Sequence, residues 1–223
     1  MILHVLMVIK DELYHKIDYL FIEEGSGKQV ALATYNFNEY ATLYFEGNKI
    51  EVTTKPKIIE KCKYEFKYPL SSKRKKTIGF PILFNDKEEY LYYPEAAKCN
   101  NKIFRKNIGY TVFCNETDVN LLFKVGFENE NSHHYCMYNK NHLIAVISRH
   151  SFREDNCKAT IYVEDDSNIL KAMMACTEEI IVVPTPESGV GDPSAGHFVS
   201  IPETHQFYDP GFIERVKRQY NSI

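Results

Sequence analysis

Ala159-Thr160-Ile161-Tyr162-Val163-Glu164-Asp165-Asp166-Ser167-Asn168-Ile169-Leu170-Lys171-Ala172-Met173-Met174-Ala175-Cys176 decides the fold, because its period changes midway. Thr160 to Val163 are β-branched or aromatic, as a strand wants. Asp165, Asp166 and Ser167 are N-cap formers, with acid at the positive end of a helix. From 168 to 181, Asn168, Lys171, Glu178 and Glu179 fall within a stripe ~100° wide, and apolar residues fill most of the remainder. A helix that is apolar around so much of its circumference needs to be surrounded. At ~1.5 Å per residue it is ~20 Å long, enough to thread a barrel. The predicted helix spans 167–182, and its Met173, Met174 and Cys176 suit core packing.

Upstream, short β-branched and aromatic runs recur with turn residues between them. They predict strands over 2–9, 16–23, 28–35, 40–46, 49–54, 61–68, 77–84, 89–93, 102–106, 110–115, 119–127, 134–138, 143–149 and 158–164. Glu24-Gly25-Ser26-Gly27, Gly47-Asn48 and Asn139-Lys140-Asn141 supply hairpin turns. So many evenly spaced short strands favour a barrel or sandwich over alternating β and α units. Downstream, residues 184–196 are rich in Pro, Gly and Ser and read as a loop. A short apolar piece follows at 198–201. Asp209-Pro210 then opens a helix over 211–220, with Asp as cap and Pro at the first position.

In its order of elements, the chain resembles the tubby-like superfamily, which includes plant LURP-one-related proteins and small bacterial homologues. The residues that carry the likeness are the hairpin strand Leu143-Ile144-Ala145-Val146-Ile147, the strand Ala159-Thr160-Ile161-Tyr162-Val163, the acidic turn and the helix Ile169-Leu170-Lys171-Ala172-Met173-Met174. The resemblance covers residues 1–183 by order and is pointed over 134–183. It implies a mainly β fold: a closed antiparallel barrel of about twelve strands enclosing a hydrophobic helix. Residues 184–223 add a Pro/Gly-rich loop and a short helix that packs on the same domain or extends from it. Eukaryotic tubby domains bind phosphoinositide head groups through basic surface residues, and related scramblases act at membranes. No ligand residue of the family carries over to a position here. Two departures stand out: the chain continues past the helix, and Glu178-Glu179 lie near the helix end.

Composition bounds the rest. The 223 residues hold 16 Tyr and 14 Phe but no Trp, and 27 Lys plus Arg against 30 Asp plus Glu give a net charge of −3. A globally basic nucleic-acid binder is disfavoured. Six Cys are too sparse and too widely spaced for a disulfide scaffold or a paired-Cys zinc site. The apolar start lacks a basic lead, and no run approaches the ~18 apolar residues of a membrane span. A cytoplasmic protein with reduced thiols is expected.

The clearest charge feature is 55–76, with nine Lys or Arg against Glu60 and Glu65. Lys61, Lys63, Lys73, Arg74, Lys75 and Lys76 are the candidate ligand residues, for an anionic ligand, a lipid head group or a protein partner. The same pattern also fits a solvated edge strand that Lys protects from aggregation. His133-His134-Tyr135-Cys136 is the only His/Cys cluster. His134 and Cys136 share a strand face, and His142 is a conceivable third metal ligand if the hairpin register allows. A small hydrolase or metal enzyme built on this cluster is the alternative to a non-catalytic binding module. No cofactor fingerprint is present: Gly189 to His197 lacks the ending of a phosphate loop and the spacing of a dinucleotide motif.

Overall fold

The computed structural model describes residues 1–10, 16–36, 40–53, 56–66, 75–98, 107–126, 132–150, 156–182 and 202–221. Its strands are β1 (Ile2–Ile9), β2 (Lys16–Glu23), β3 (Gln29–Asn36), β4 (Tyr40–Phe45), β5 (Asn48–Thr53), β6 (Lys57–Glu60) and β7 (Lys76–Phe84). Then come β8 (Lys87–Lys98), β9 (Asn107–Cys114), β10 (Val119–Gly126), β11 (Ser132–Asn139), β12 (His142–His150) and β13 (Cys157–Val163). Each strand from β1 to β5 and from β7 to β13 pairs antiparallel with its chain neighbour where one exists. Two long-range pairings, β1 with β13 and β5 with β7, join the ends. The result is a closed antiparallel barrel of twelve strands, with β6 standing outside the ring.

Tight turns set the registers. Glu46 and Gly47 (φ 49° and 79°) and Asn85 and Asp86 (φ 46° and 69°) place two consecutive left-handed residues between strands. That is the primed geometry that matches strand twist. The second turn falls in the gap between the strands expected over 77–84 and 89–93.

Closure is achieved by sharing one edge. β5 pairs with the end of β7, Ile50 opposite Phe84 and Val52 opposite Ile82. β6 pairs with its beginning, Lys57 opposite Gly79 and Glu60 opposite Lys76. Of the strand expected over 61–68, the described part, 61–66, is not in a strand; the strand lies earlier, at β6. The expected strand over 102–106 and the segment 184–201 lie outside the described residues.

The helical segment begins with a 3-10 turn, Asp166–Asn168, capped by the Asp165 carboxylate, which accepts from the Ser167 N–H at 2.9 Å. Helix α1 (Ile169–Cys176) follows and passes into a π-helical segment, Thr177–Val182. Ala172, Met173, Met174, Ala175 and Cys176 are buried, in one cluster with side chains from all twelve ring strands. That cluster includes Val5, Tyr19, Ala33, Leu43, Val52, Ile82, Tyr92, Phe113, Leu122, Met137, Ile147 and Ile161.

A second cluster occupies the opposite face of β8 to β13. It draws in residues 62–66, a 3-10 turn (Pro202–Phe207) and helix α2 (Pro210–Asn221), whose Phe212 and Val216 are buried. Strands with both faces covered lose the two-residue alternation, so Tyr135 to Tyr138 and Ala145 to Ser148 are buried without a break. Asp209 caps α2, accepting from the Gly211 N–H at 2.9 Å, as the Asp-Pro pair foretells. The tail is tied down by Phe207, whose ring stacks on Phe123 with centroids 3.9 Å apart, and by Tyr138 Oη donating to the Phe207 carbonyl at 2.9 Å.

Replacing Phe207 by Ala is predicted to destabilise the fold by ~3–5 kcal/mol, the usual cost of truncating a buried Phe. Urea unfolding of the full chain checks this, and a loss below ~1 kcal/mol contradicts a tail that is part of the core.

Candidate functional site

The basic segment is a ribbon and a strap. β6 and β7 form a two-stranded ribbon, extended one step beyond β6 by Lys61 N–H donating to the Lys75 carbonyl at 3.0 Å. One face of the ribbon is anchored: Ile59 is buried directly over Gly79, where a Cβ would collide with Ile59 Cδ1. The other face presents Ile58 and Ile78, which are direct cross-strand partners and 78% and 58% exposed. Two large aliphatics thus stand side by side in water at the ribbon surface.

From Lys61 the chain crosses β8, β9, β10 and β11 on their outer cluster. Lys61 pairs with Glu95, and Cys62 meets Tyr93 and Cys114. Tyr64 hydrogen-bonds Tyr110, and Phe66 packs on Phe123, Tyr138 and Phe207. The alternation that suggested a strand over 61–68 is genuine, but the even positions pack against aromatics of a sheet face.

Of the predicted ligand residues, Lys75 and Lys76 are exposed at the ribbon end and Lys63 is exposed on the strap. Lys61 is drawn into the ion pair with Glu95, with both side chains largely buried, and the neighbouring Lys57 pairs with Glu88. Two acids of β8 therefore offset part of the local positive charge. Lys73 and Arg74, together with Lys55 and Lys67, lie outside the described residues.

The His/Cys cluster is brought together differently from a metal site. His134 and Cys136 share the outer face of β11. His134 Nδ1 is 2.9 Å from Ser148 Oγ, and its ring stacks on Tyr208 at 4.5 Å. The hairpin register pairs Asn139 with His142 and His134 with Ser148, so exposed His142 sits at the far end of the hairpin and cannot join His134. Among the described residues no group of three His, Cys, Asp or Glu is placed to hold a metal ion. Burial pushes the Cys136 thiol well above its ordinary range, which withholds the thiolate a nucleophile needs. His133 belongs to the other face of the strand, away from both.

The sequence singled out Glu178 and Glu179 only as a departure. Thr177 Oγ1 donates to the Met173 carbonyl at 2.8 Å as the α-helix widens into the π segment. Glu178 is buried and hydrogen-bonds Tyr92 and Glu179, while Glu179 accepts from Thr111 Oγ1 at 2.5 Å. Burial, then the neighbouring Glu179 charge, holds Glu178 well above the ordinary carboxylate range. Burial and the Glu178 charge likewise raise Tyr92.

Compared with known proteins, the chain matches no family model, no curated protein and no solved structure. Its class rests on the architecture alone: a mostly β protein built on a closed twelve-stranded antiparallel barrel with short helices. Among the described residues no helix is long and apolar enough to cross a membrane.

Buried Glu178 makes stability pH-dependent in a defined sense. A carboxyl with a raised folded pKa stabilises fully below its unfolded value of about 4.3, and that contribution is lost as pH rises through the folded value. Glu178→Gln is predicted to flatten this decline between mildly acidic and alkaline pH. Urea midpoints across a pH series test it, and identical slopes for the two proteins contradict it.

Proposed function

We propose that the chain is a tubby-like barrel filled by its own helix, and that it acts as a non-catalytic module docking on anionic lipid surfaces through the β6–β7 ribbon. The filled barrel is supported by the shared cluster: α1 packs on β12 and β13, the π segment packs on β3 and β4, and Glu179 reaches Thr111 of β9. Strands so far apart around one ring meet a single helix most simply if it runs through the middle.

The observation that carries the lipid reading is the Ile58–Ile78 pair beside exposed Lys63, Lys75 and Lys76. Aliphatic side chains enter the acyl boundary while clustered lysines sit at the level of the negative head groups. Each Lys near such a surface is worth about 1 kcal/mol. A chain of net charge −3 is thus given a preferred face toward an anionic surface.

Sedimentation of the full chain with phosphatidylserine-rich vesicles is predicted to exceed that with phosphatidylcholine alone, and to weaken with added salt. Lys75→Glu with Lys76→Glu is predicted to lower the partition by more than tenfold, since each swap removes about 1 kcal/mol of attraction and adds repulsion. Ile58→Ser with Ile78→Ser lowers it at every salt concentration. Equal binding by the wild type and both double variants overturns the proposal. So does capture of a protein partner by this ribbon with no binding to anionic vesicles.

A further inference from the structure

We propose that Cys62 and Cys114 are a modification site: a dithiol that closes reversibly to a disulfide, stapling the strap at 61–66 to β9. The two residues are 52 positions apart in sequence, and their Sγ atoms lie 2.6 Å apart. A disulfide requires ~2.05 Å, so closure takes about half an ångström of movement. The other described cysteines, Cys136, Cys157 and Cys176, are buried, whereas Cys62 is partly exposed and Cys114 lies behind it.

The pair is chemically asymmetric. The hydrogen bond between the two thiols lowers the Cys62 thiol to about 7, assisted by Tyr93 Oη, which also accepts from the Cys62 N–H at 3.2 Å. The same hydrogen bond, together with burial, keeps Cys114 protonated. Around them stand Tyr64, Tyr93 and Tyr110, with the Lys61–Glu95 ion pair alongside. Cys62 is therefore the attacking thiol and Cys114 the resolving one.

The oxidant is a low-molecular-weight disulfide such as glutathione disulfide. Cys62 thiolate attacks one of its sulfurs, the small S–S bond breaks, and one small thiolate leaves. Cys114 then gives up its proton and attacks Cys62 Sγ, expelling the second small thiolate. Two protein thiols are oxidised to one disulfide, and one small disulfide is reduced to two thiols. The cross-link ties the strap that leads from the ribbon to the barrel wall, independently of what the ribbon binds.

The test uses the reduced full chain incubated with glutathione disulfide under native conditions, then alkylated and mapped by peptide mass spectrometry. The expected product is a Cys62–Cys114 linked peptide pair with the loss of two free thiols, reversed by dithiothreitol. Cys114→Ser is expected to stop at a glutathione adduct on Cys62, and Cys62→Ser to give neither product. The oxidised wild type is expected to unfold at a higher urea concentration than the reduced form. A wild type that stops at the Cys62 adduct, links Cys62 to Cys99, or loses no thiols overturns the proposal.

Discussion

Barrel closure depends on how one strand edge is divided. β7 offers nine residues of edge, and β5 takes only the end of it, in the short register from Ile50 opposite Phe84 to Val52 opposite Ile82. The other end, Lys76 to Gly79, is taken by β6, which stands outside the ring. An unpaired edge is a site for aggregation, and two partners on one edge cover most of it. The same division sends the chain after β6 outward. It sets up the ribbon with its exposed isoleucines, and it lays residues 61–66 across the outer face of β8 to β11.

That outward course explains the aromatic content. A ring of twelve strands has an inner face to fill and an outer face to wet, and here half of the outer face is covered too. Tyr64 and Phe66 from the strap, Phe207 and Phe212 from the tail, and Tyr93, Tyr110, Phe123 and Tyr138 from the strands form one outer cluster. Flat rings stack between sheet and strap where aliphatic side chains would leave gaps, as in the Phe123–Phe207 and Phe66–Phe123 pairs. The chain has no Trp, and Tyr and Phe supply this layer throughout.

Strand positions, most hairpin turns, the Asp165 cap and the apolar helix were legible in the sequence, because each depends on local chemistry or period. What depends on distant partners was not. Residues 61–66 alternate as a strand would, and nothing local tells a strand partner from the aromatic face of a sheet. The net basic charge of 55–76 is visible, but its partial neutralisation by Glu88 and Glu95 depends on the ribbon lying against β8. The approach of Cys62 to Cys114 follows from the strap and has no counterpart in cysteine spacing. The shift from α to π helix at Thr177 accompanies buried Glu178 beside half-buried Glu179, which periodicity alone counts as two polar positions on a stripe.

The proposed path of the helix through the ring is tested most directly by methyl nuclear Overhauser contacts from the Met173 and Met174 side chains in the full chain. Contacts to both Leu43 of β4 and Ile161 of β13, which stand well apart around the ring, are predicted, with slowly exchanging amides over Ala172 to Cys176. Contacts confined to strands on one side, with rapidly exchanging amides, would contradict a barrel closed around its own helix.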